Sequence, residues 1–460
     1  MAELDLVIRG GRVVAQGLDG VFDLGIHDGV VVQMGGSMDG ERVLDAAGMM
    51  VLPGGVDAHV HLSMAPGESE EPAWVDDFTS GSAAALAGGI TTLGNMTFSA
   101  SGETPLEALE REGAVVRQQA IADVFLHPVL EQPSDEALDQ IPQLLEHGCN
   151  SLKVFTVMQE FESEVTRFVE AIARAGESGL ITLIHCEDYA LIQFSTGRLA
   201  SQGRTTIRYY SEGSPIVSEV VAAQRAVAIA EATGAPIYVV HLSSARALEV
   251  CREAQARGVQ VYVETRPLYL HLTEERFEEP EAAKYAGQPP LRTEADVRAL
   301  WFGIREGTVH TVCSDHAPYA LADKLDPNHT LENLRAGVEN LQFLRPMLFS
   351  EGVRTGRISL ERFVEVTATN AARLFGLYPR KGAITPGSDA DLVIWDPNLT
   401  RTVTHSMMKS NADYSVYEGW QITGWPVTTV RRGEIVFDDD RVIGGAGSGQ
   451  LLRRGPTMRL

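Results

Sequence analysis

The stretch Met49-Met50-Val51-Leu52-Pro53-Gly54-Gly55-Val56-Asp57-Ala58-His59-Val60-His61 decides the fold of this chain. It begins as an apolar run, which predicts a buried strand, and it ends in two histidines one residue apart. Side chains at positions i and i+2 of a strand point to the same side, so His59 and His61 can each turn one ring nitrogen toward a single metal ion. Because a His-x-His pair also arises by chance, the interpretation depends on further ligands in a similar context.

Four more candidate ligands lie in or just after short, apolar and β-branched runs. They are Lys153 in Ser151-Leu152-Lys153-Val154-Phe155, His185 after Leu183-Ile184, His241 after Val239-Val240, and Asp315 after Val312-Cys313-Ser314. Such runs are typical of strands buried on both faces of a parallel sheet. Apolar residues at helical spacing fill intervals between these runs, over residues 163–175, 218–232 and 245–257.

This alternation of strands and helices predicts an α/β fold with a parallel sheet. If the sheet closes into a barrel, ligands at the carboxyl ends of successive strands converge on one mouth. We therefore predict a single metal site, whose ligands are His59, His61, Lys153, His185, His241 and Asp315.

Composition excludes several classes of protein. The 460 residues exceed one typical domain, and 44% of them are hydrophobic, which is ordinary for a globular chain. A formal net charge of −24 disfavours nucleic acid and anionic membrane as partners. No apolar run is long enough to span a bilayer, the N-terminus does not resemble a leader, and the four cysteines are unclustered. We expect a cytoplasmic protein without disulfides.

Both ends of the chain read as short strands separated by tight turns, beginning with residues 6–9 and 12–14 on either side of Gly10 and Gly11. The simplest assembly joins residues 1–52 and 377–445 in one β domain beside a central barrel of residues 53–376. Two separate β modules are the less favoured alternative, because each would be too small to bury a good core. The Gly-rich, basic residues 446–460 form either a frayed tail or an arm on a neighbouring subunit.

The predicted ligands indicate hydrolysis. Lys153 can serve as a ligand if its neutral amine captures carbon dioxide, because the resulting carbamate has two anionic oxygens that can bridge two cations. His59, His61 and Asp315 would then complete the coordination of one ion. His185 and His241 would complete that of the other. Two such cations lower the pKa of a shared water toward neutrality, and the bridging hydroxide can attack an amide carbonyl. Asp315 would take the hydroxide's proton and deliver it to the leaving nitrogen.

These motifs resemble those of the cyclic amidohydrolases, the hydantoinase, dihydropyrimidinase, allantoinase and dihydroorotase group. The resemblance rests on residues 55–62, 151–155, 240–244, 313–318 and 382–392. It implies a TIM-like (β/α)8 barrel with a smaller composite β-sandwich domain, and two divalent metal ions bridged by N6-carboxylated Lys153. Zinc is the usual metal of this family, with manganese and cobalt as alternatives. Family habit also implies a homodimer or homotetramer.

Within this group, the segments 413–420 and 423–427 are most similar to hydantoinases and dihydropyrimidinases. Dihydroorotases usually carry an arginine where this chain has Ser63, which disfavours dihydroorotate. The resemblance therefore implies opening of a hydantoin or dihydropyrimidine ring to an N-carbamoyl amino acid. Allantoinase, or a hydrolase of another amide or carbamate, is the alternative.

Three positions are expected to contact the substrate. Asn333 resembles the family asparagine whose backbone contacts the cyclic imide. Met158 replaces the usual tyrosine, whose hydroxyl can bind the developing oxyanion, and a thioether cannot donate a hydrogen bond. Gln288 replaces the serine that usually precedes two prolines. These two departures leave open whether another group stabilises the oxyanion or the substrate differs.

Overall fold

The structure is a computed structural model, and it describes residues 4–63 and 73–460. The strands are β1 (Leu6–Ala15), β2 (Leu18–His27), β3 (Val30–Met34), β4 (Arg42–Asp45), β5 (Met50–Pro53), β6 (Gly55–Val60), β7 (Ile90–Thr97), β8 (Asp123–Pro128), β9 (Ser151–Phe155), β10 (Ile181–His185), β11 (Ile237–Val239), β12 (Val261–Thr265), β13 (Thr311–Val312), β14 (Leu392–Thr402), β15 (Gln421–Arg431), β16 (Glu434–Asp438) and β17 (Arg441–Val442).

The α-helices are α1 (Phe78–Ala87), α2 (Pro105–Gln119), α3 (Asp135–Gln140), α4 (Gln159–Ser163), α5 (Val165–Glu177), α6 (Tyr189–Ser201), α7 (Tyr210–Gly213), α8 (Ile216–Thr233), α9 (Ala245–Ala256), α10 (Pro267–His271), α11 (Glu294–Glu306), α12 (Leu321–Lys324), α13 (Leu344–Leu348), α14 (Leu360–Val364) and α15 (Asn370–Leu374). The three helices predicted from apolar spacing are α5, α8 and α9. Local signals set their ends: the Ser244 side chain caps the start of α9, and Gly234 ends α8 in the left-handed conformation.

Strands from both chain ends form a single nine-stranded sheet. Its order is β17-β16-β15-β14-β5-β1-β2-β3, and β4 also pairs with β1. The antiparallel pairing of β5 with β14 joins the two ends of the chain. One detail differs from the sequence analysis: β1 is a single strand with an irregularity between Ile8 and Gly11, where two short strands were predicted. Gly10, at φ 70°, makes this bulge possible.

The central part of the chain supplies two parallel sheets. One contains β9 to β13 and the other β6 to β8, with helices between successive strands, so the α/β prediction is confirmed. Single parallel bridges link the two sheets at both edges, from Val129 to Lys153 and from Val60 to His316. These eight strands therefore present their carboxyl ends, and the candidate ligands there, on the same side.

The C-terminal segment lies along its own chain. Leu451 bridges to Val124 of β8, and the buried Arg454 donates to the carbonyl oxygen of Leu126 at 2.6 Å. The backbone of Gly455 in turn donates to Gly376 at 3.0 Å. The segment is thus packed rather than frayed. Among the described residues, no helix has the length and apolar character that crossing a membrane would require.

Candidate metal centre

Three of the predicted ligands converge in one buried cluster. His59 lies in β6, His61 follows that strand, and Asp315 follows β13. The Asp315 Oδ1 is 3.3 Å from His59 Nε2 and 3.2 Å from His61 Nε2. The three donor atoms lie close enough together to hold one cation.

The backbone fixes this arrangement. The His61 amide donates to the carbonyl oxygen of His316 at 2.9 Å, which ties the end of β6 to the segment that carries Asp315. The buried Asp57 accepts from the amides of His59 and Ser314, each at 3.1 Å. Asp315 itself adopts φ 49°, a left-handed conformation that is uncommon outside glycine.

His185 and His241 form a second pair beside this cluster. Their ring centroids are 4.5 Å apart, and the His241 ring is 5.4 Å from that of His59. Both residues are buried, and burial lowers the pKa of each imidazole, which favours the neutral form that binds metals.

Lys153 is fully buried in the middle of β9. Within the described part of the chain, its Nζ has no hydrogen-bond partner and lies 4.6 Å from the centroid of the Phe155 ring. Burial lowers its pKa to about 8, against the opposing effect of Glu264 and Asp315. A buried, unpartnered amine is an unusual group, and it is chemically suited to carbamate formation.

Two buried glutamates orient the histidines. Glu264 accepts from His59 Nδ1 at 2.8 Å and from the backbone amide of His241 at 2.9 Å. Glu187 lies 2.8 Å from His185 Nε2, which leaves Nδ1 of that ring for a metal. Carboxylates of this kind fix the tautomer and the ring orientation of metal-binding histidines. The sequence analysis missed both, although Glu264 ends the apolar run Val261-Tyr262-Val263, the same signal that identified Lys153.

Arg266 also went unrecognised in the sequence. Its Nη1 donates to the Oδ2 of Asp315, and both side chains are buried. Burial raises the pKa of Asp315, but Arg266 and His59 more than offset this effect, so the pKa lies well below its ordinary value. Asp315 is therefore an ionised carboxylate in this arrangement.

An aromatic wall covers one side of the cluster. The Trp74 ring lies 4.8 Å from the His61 ring, and Phe98 lies 6.0 Å from each of them. Phe155 continues the wall toward His185, at 5.5 Å. This apolar surface limits access of water to one side of the cluster.

The three predicted substrate residues lie at two different cavities. Met158, half-buried, lines a cavity of about 700 Å³ together with the loops that precede α2 and α3. Gln288 lines a different cavity of about 460 Å³, as do Glu332 and Leu334 on either side of Asn333. The exposed Asn333 side chain accepts from the Thr330 amide at 2.6 Å, so it stabilises its own loop.

The residues of this centre fit divalent cations. Imidazole and carboxylate donors suit hydrolytic metals such as zinc, cobalt and manganese. Buried side-chain nitrogens with no hydrogen-bond partner among the described residues include Lys153 Nζ and His241 Nδ1. Burial lowers the pKa of His61, His185 and His241, which favours their neutral form. His59 and His185 have the carboxylate partners that orient metal-binding rings.

Comparisons with known proteins agree with this chemistry. The sequence profile of the amidohydrolase family matches residues 50–436. A D-phenylhydantoinase from Escherichia coli O1:K1 is 37% identical over an alignment of 462 residues. The alignment covers 98% of this chain and 99% of the relative. The structure of D-hydantoinase from Bacillus sp. AR9 is similar with a TM-score of 0.93 and 34% identity, covering 99% of this chain and 100% of that one. For dihydropyrimidinase from Brevibacillus agri NCHU1002, the TM-score is 0.94 at 33% identity, with 99% of each chain covered.

Proposed function

Since this chain belongs to the hydantoinase and dihydropyrimidinase group of the amidohydrolase family, we propose that it hydrolyses a cyclic amide of the hydantoin or dihydropyrimidine type. The product would be an N-carbamoyl amino acid. The observation that carries this proposal is the convergence of His59, His61 and Asp315 in one buried cluster. The relatives compared are hydantoinases and a dihydropyrimidinase, so the allantoinase alternative is not favoured.

The family implies a binuclear divalent metal centre. We assign one ion to His59, His61 and Asp315, and the other to His185 and His241. Lys153 would bridge them as a carbamate: its neutral amine adds to carbon dioxide, and the nitrogen loses a proton. The unpartnered, buried Nζ supports this assignment. Zinc is the metal that we propose, with manganese and cobalt as alternatives.

When bound, the cations would lower the pKa of a water molecule and polarise the amide carbonyl. The protein's own residues supply the rest of the chemistry. Asp315 is ionised, so its carboxylate can accept the proton of the attacking water and return it to the ring nitrogen that leaves. Glu264 keeps His59 and His241 in position through its hydrogen bonds to the His59 ring and to the His241 backbone amide. The aromatic wall of Trp74, Phe98 and Phe155 would pack against the substrate ring.

Met158, Gln288 and Asn333 remain our proposed substrate residues. Gln288 and the loop around Asn333 share the walls of the 460 Å³ cavity, which supports a common role in holding the substrate. Met158 faces the other cavity and offers an apolar surface in place of a hydroxyl.

Three further features are part of the proposal. We propose that the eight parallel strands form the closed barrel of the family, which the two bridges between the sheets support. We also propose association into a homodimer or homotetramer, as the family resemblance implies. The location is proposed to be the cytoplasm, in keeping with four free cysteines.

The test is a substrate panel with metal analysis. Purified enzyme, loaded in turn with zinc, manganese or cobalt, is assayed on hydantoins, dihydrouracil, allantoin and linear amides. We expect close to two metals per chain and ring opening of hydantoins or dihydrouracil. An active, metal-free preparation would contradict the metal centre, and activity confined to allantoin or linear amides would contradict the substrate class.

A further inference from the structure

Arg266 is a charged side chain inside the candidate active site, and its contact with Asp315 accounts for only one of its three nitrogens. It follows the last residue of β12, two positions after Glu264, so it lies at the same end of the sheet as the candidate ligands. The side chain is fully buried, and one nitrogen, Nη1, donates to Asp315. Its guanidinium lies 4.5 Å from the centroid of the Tyr269 ring.

The remaining nitrogens form an unused binding edge. Within the described residues, neither Nε nor Nη2 of Arg266 has a hydrogen-bond partner. These two N–H groups point in parallel along one side of the guanidinium, which is the edge that grips a carboxylate with two hydrogen bonds. Exposed arginines of this chain use the same edge: Arg12 binds Asp19 through Nε and Nη2, each at 2.7 Å.

This edge of Arg266 lies next to the segment that lines the 460 Å³ cavity. The Nη2 atom packs against Gly287, where an added Cβ would lie only 2.1 Å from it. The next residue, Gln288, lines the 460 Å³ cavity. Arg266 thus lies between Asp315, which acts on the ring nitrogen in the proposed reaction, and the segment that walls this cavity.

We propose that Arg266 is a specificity residue that binds a carboxylate group carried by the cyclic amide substrate. This inference rests on the proposed function. The Nε and Nη2 groups would hold the substrate carboxylate while Nη1 keeps its bond to Asp315, so one guanidinium positions the substrate relative to the proton carrier. Burial strengthens such a charge-assisted pair, because water does not compete for either partner. Ser63 carries no charge, so the cation that binds the substrate carboxylate would be Arg266, which follows β12.

The experiment compares hydantoin-5-acetate with its neutral carboxamide, and with unsubstituted hydantoin. For the wild-type enzyme, we expect kcat/KM for the carboxylate to exceed that for the amide by at least about 10-fold, the range of a hydrogen bond to a charged group. In Arg266→Gln this ratio should fall to about one, with the metal content unchanged. Taking a ratio cancels any general effect of the substitution on Asp315.

Two further variants make the result decisive. Gly287→Ala displaces the guanidinium without removing it and should lower the same ratio, even if Arg266→Gln does not fold. Arg12→Gln, at an exposed ion pair far along the chain, should leave the ratio as in wild type. A wild-type ratio near one, a preference for the amide, or a ratio that survives Arg266→Gln would overturn the inference.

Other outcomes separate the two proposals. If Arg266→Gln lowers kcat equally on all three compounds and leaves the ratio unchanged, Arg266 acts only through Asp315, and carboxylate recognition is refuted. If the metal-loaded wild type opens none of the three rings, the failure lies with the proposed function.

Discussion

Two buried lysines, one in the middle of β9 and one beside the start of β8, have opposite surroundings. Lys153, among the candidate ligands, has no hydrogen-bond partner within the described residues. Lys381 is just as deeply buried but lies beside Asp123, at the start of β8, and contacts three carboxylates. Its Nζ is 2.6 Å from Asp123, 2.8 Å from Asp391 and 3.0 Å from Asp389.

The difference distinguishes a lysine that stabilises the fold, Lys381, from a lysine that is available for chemistry, Lys153. A buried charge is costly unless it is paired, and the carboxylates around Lys381 provide that pairing between the parallel sheet and the nine-stranded sheet. Lys153 has no such ion pair or hydrogen bond among the described residues, although Glu264 and Asp315 oppose the effect of burial on its pKa. The fold therefore keeps an amine in a place where only modification or a metal centre would satisfy it.

The largest expected effect comes from Lys153→Ala. Loss of the bridging group should reduce the metal content from about two per chain and lower hydrolysis by at least about 1000-fold, because metal-activated water is central to the reaction. Metal analysis and steady-state kinetics measure both effects. The metal-free variant should unfold at a denaturant concentration close to that of the metal-free wild type, since no ion pair is lost. Retention of two metals and full activity would refute the assignment of Lys153.

The converse substitution is Lys381→Met. It should lower the free energy of unfolding by about 3–5 kcal/mol, because three buried carboxylates lose their cation. Denaturation of the metal-free protein in guanidinium measures this change. The double variant Lys381→Met with Asp123→Asn should recover part of the loss, since fewer charges then remain unpaired. If Lys381→Met instead removed metal and left the free energy of unfolding unchanged, both lysines would serve the metal centre. The proposed stabilising role of Lys381 would then be refuted.

Sequence alone located the six candidate ligands because each lies in or next to an apolar run that ends at the same side of the sheet. It also predicted the α/β alternation and the ranges of α5, α8 and α9, since periodicity is a local property. It could not reveal Arg266, whose importance lies in its contact with the distant Asp315. Glu264 carried the same apolar-run signal as Lys153 but was not recognised, and no apolar run ends at Glu187. The single β1 strand was missed because Gly10 and Gly11 read as a turn, whereas pairing with β2 continues past them.

The Glu264→Gln variant tests whether the carboxylate that contacts the His59 ring is needed for metal binding. It should weaken metal binding about 10- to 100-fold, the usual effect of losing a group that orients a metal-binding histidine. Competition with a chelator measures the affinity. Asp391→Asn is the matched control: Asp391 is also buried but pairs with Lys381, near the start of β8, and should leave metal affinity unchanged. Equal losses in both variants would show a general effect of removing buried charge.

The smallest expected effect is that of Met158→Tyr. Met158 follows β9, three residues beyond Phe155, and contributes only apolar surface to its cavity. A phenol there would add a donor for the developing oxyanion, so turnover of dihydrouracil should rise by up to about 10-fold, less than the roughly 100-fold effect of an optimally placed donor. Met158→Phe supplies the ring without the hydroxyl and should give no increase. If the two variants behave alike, or if the tyrosine slows the reaction, another group already stabilises the oxyanion.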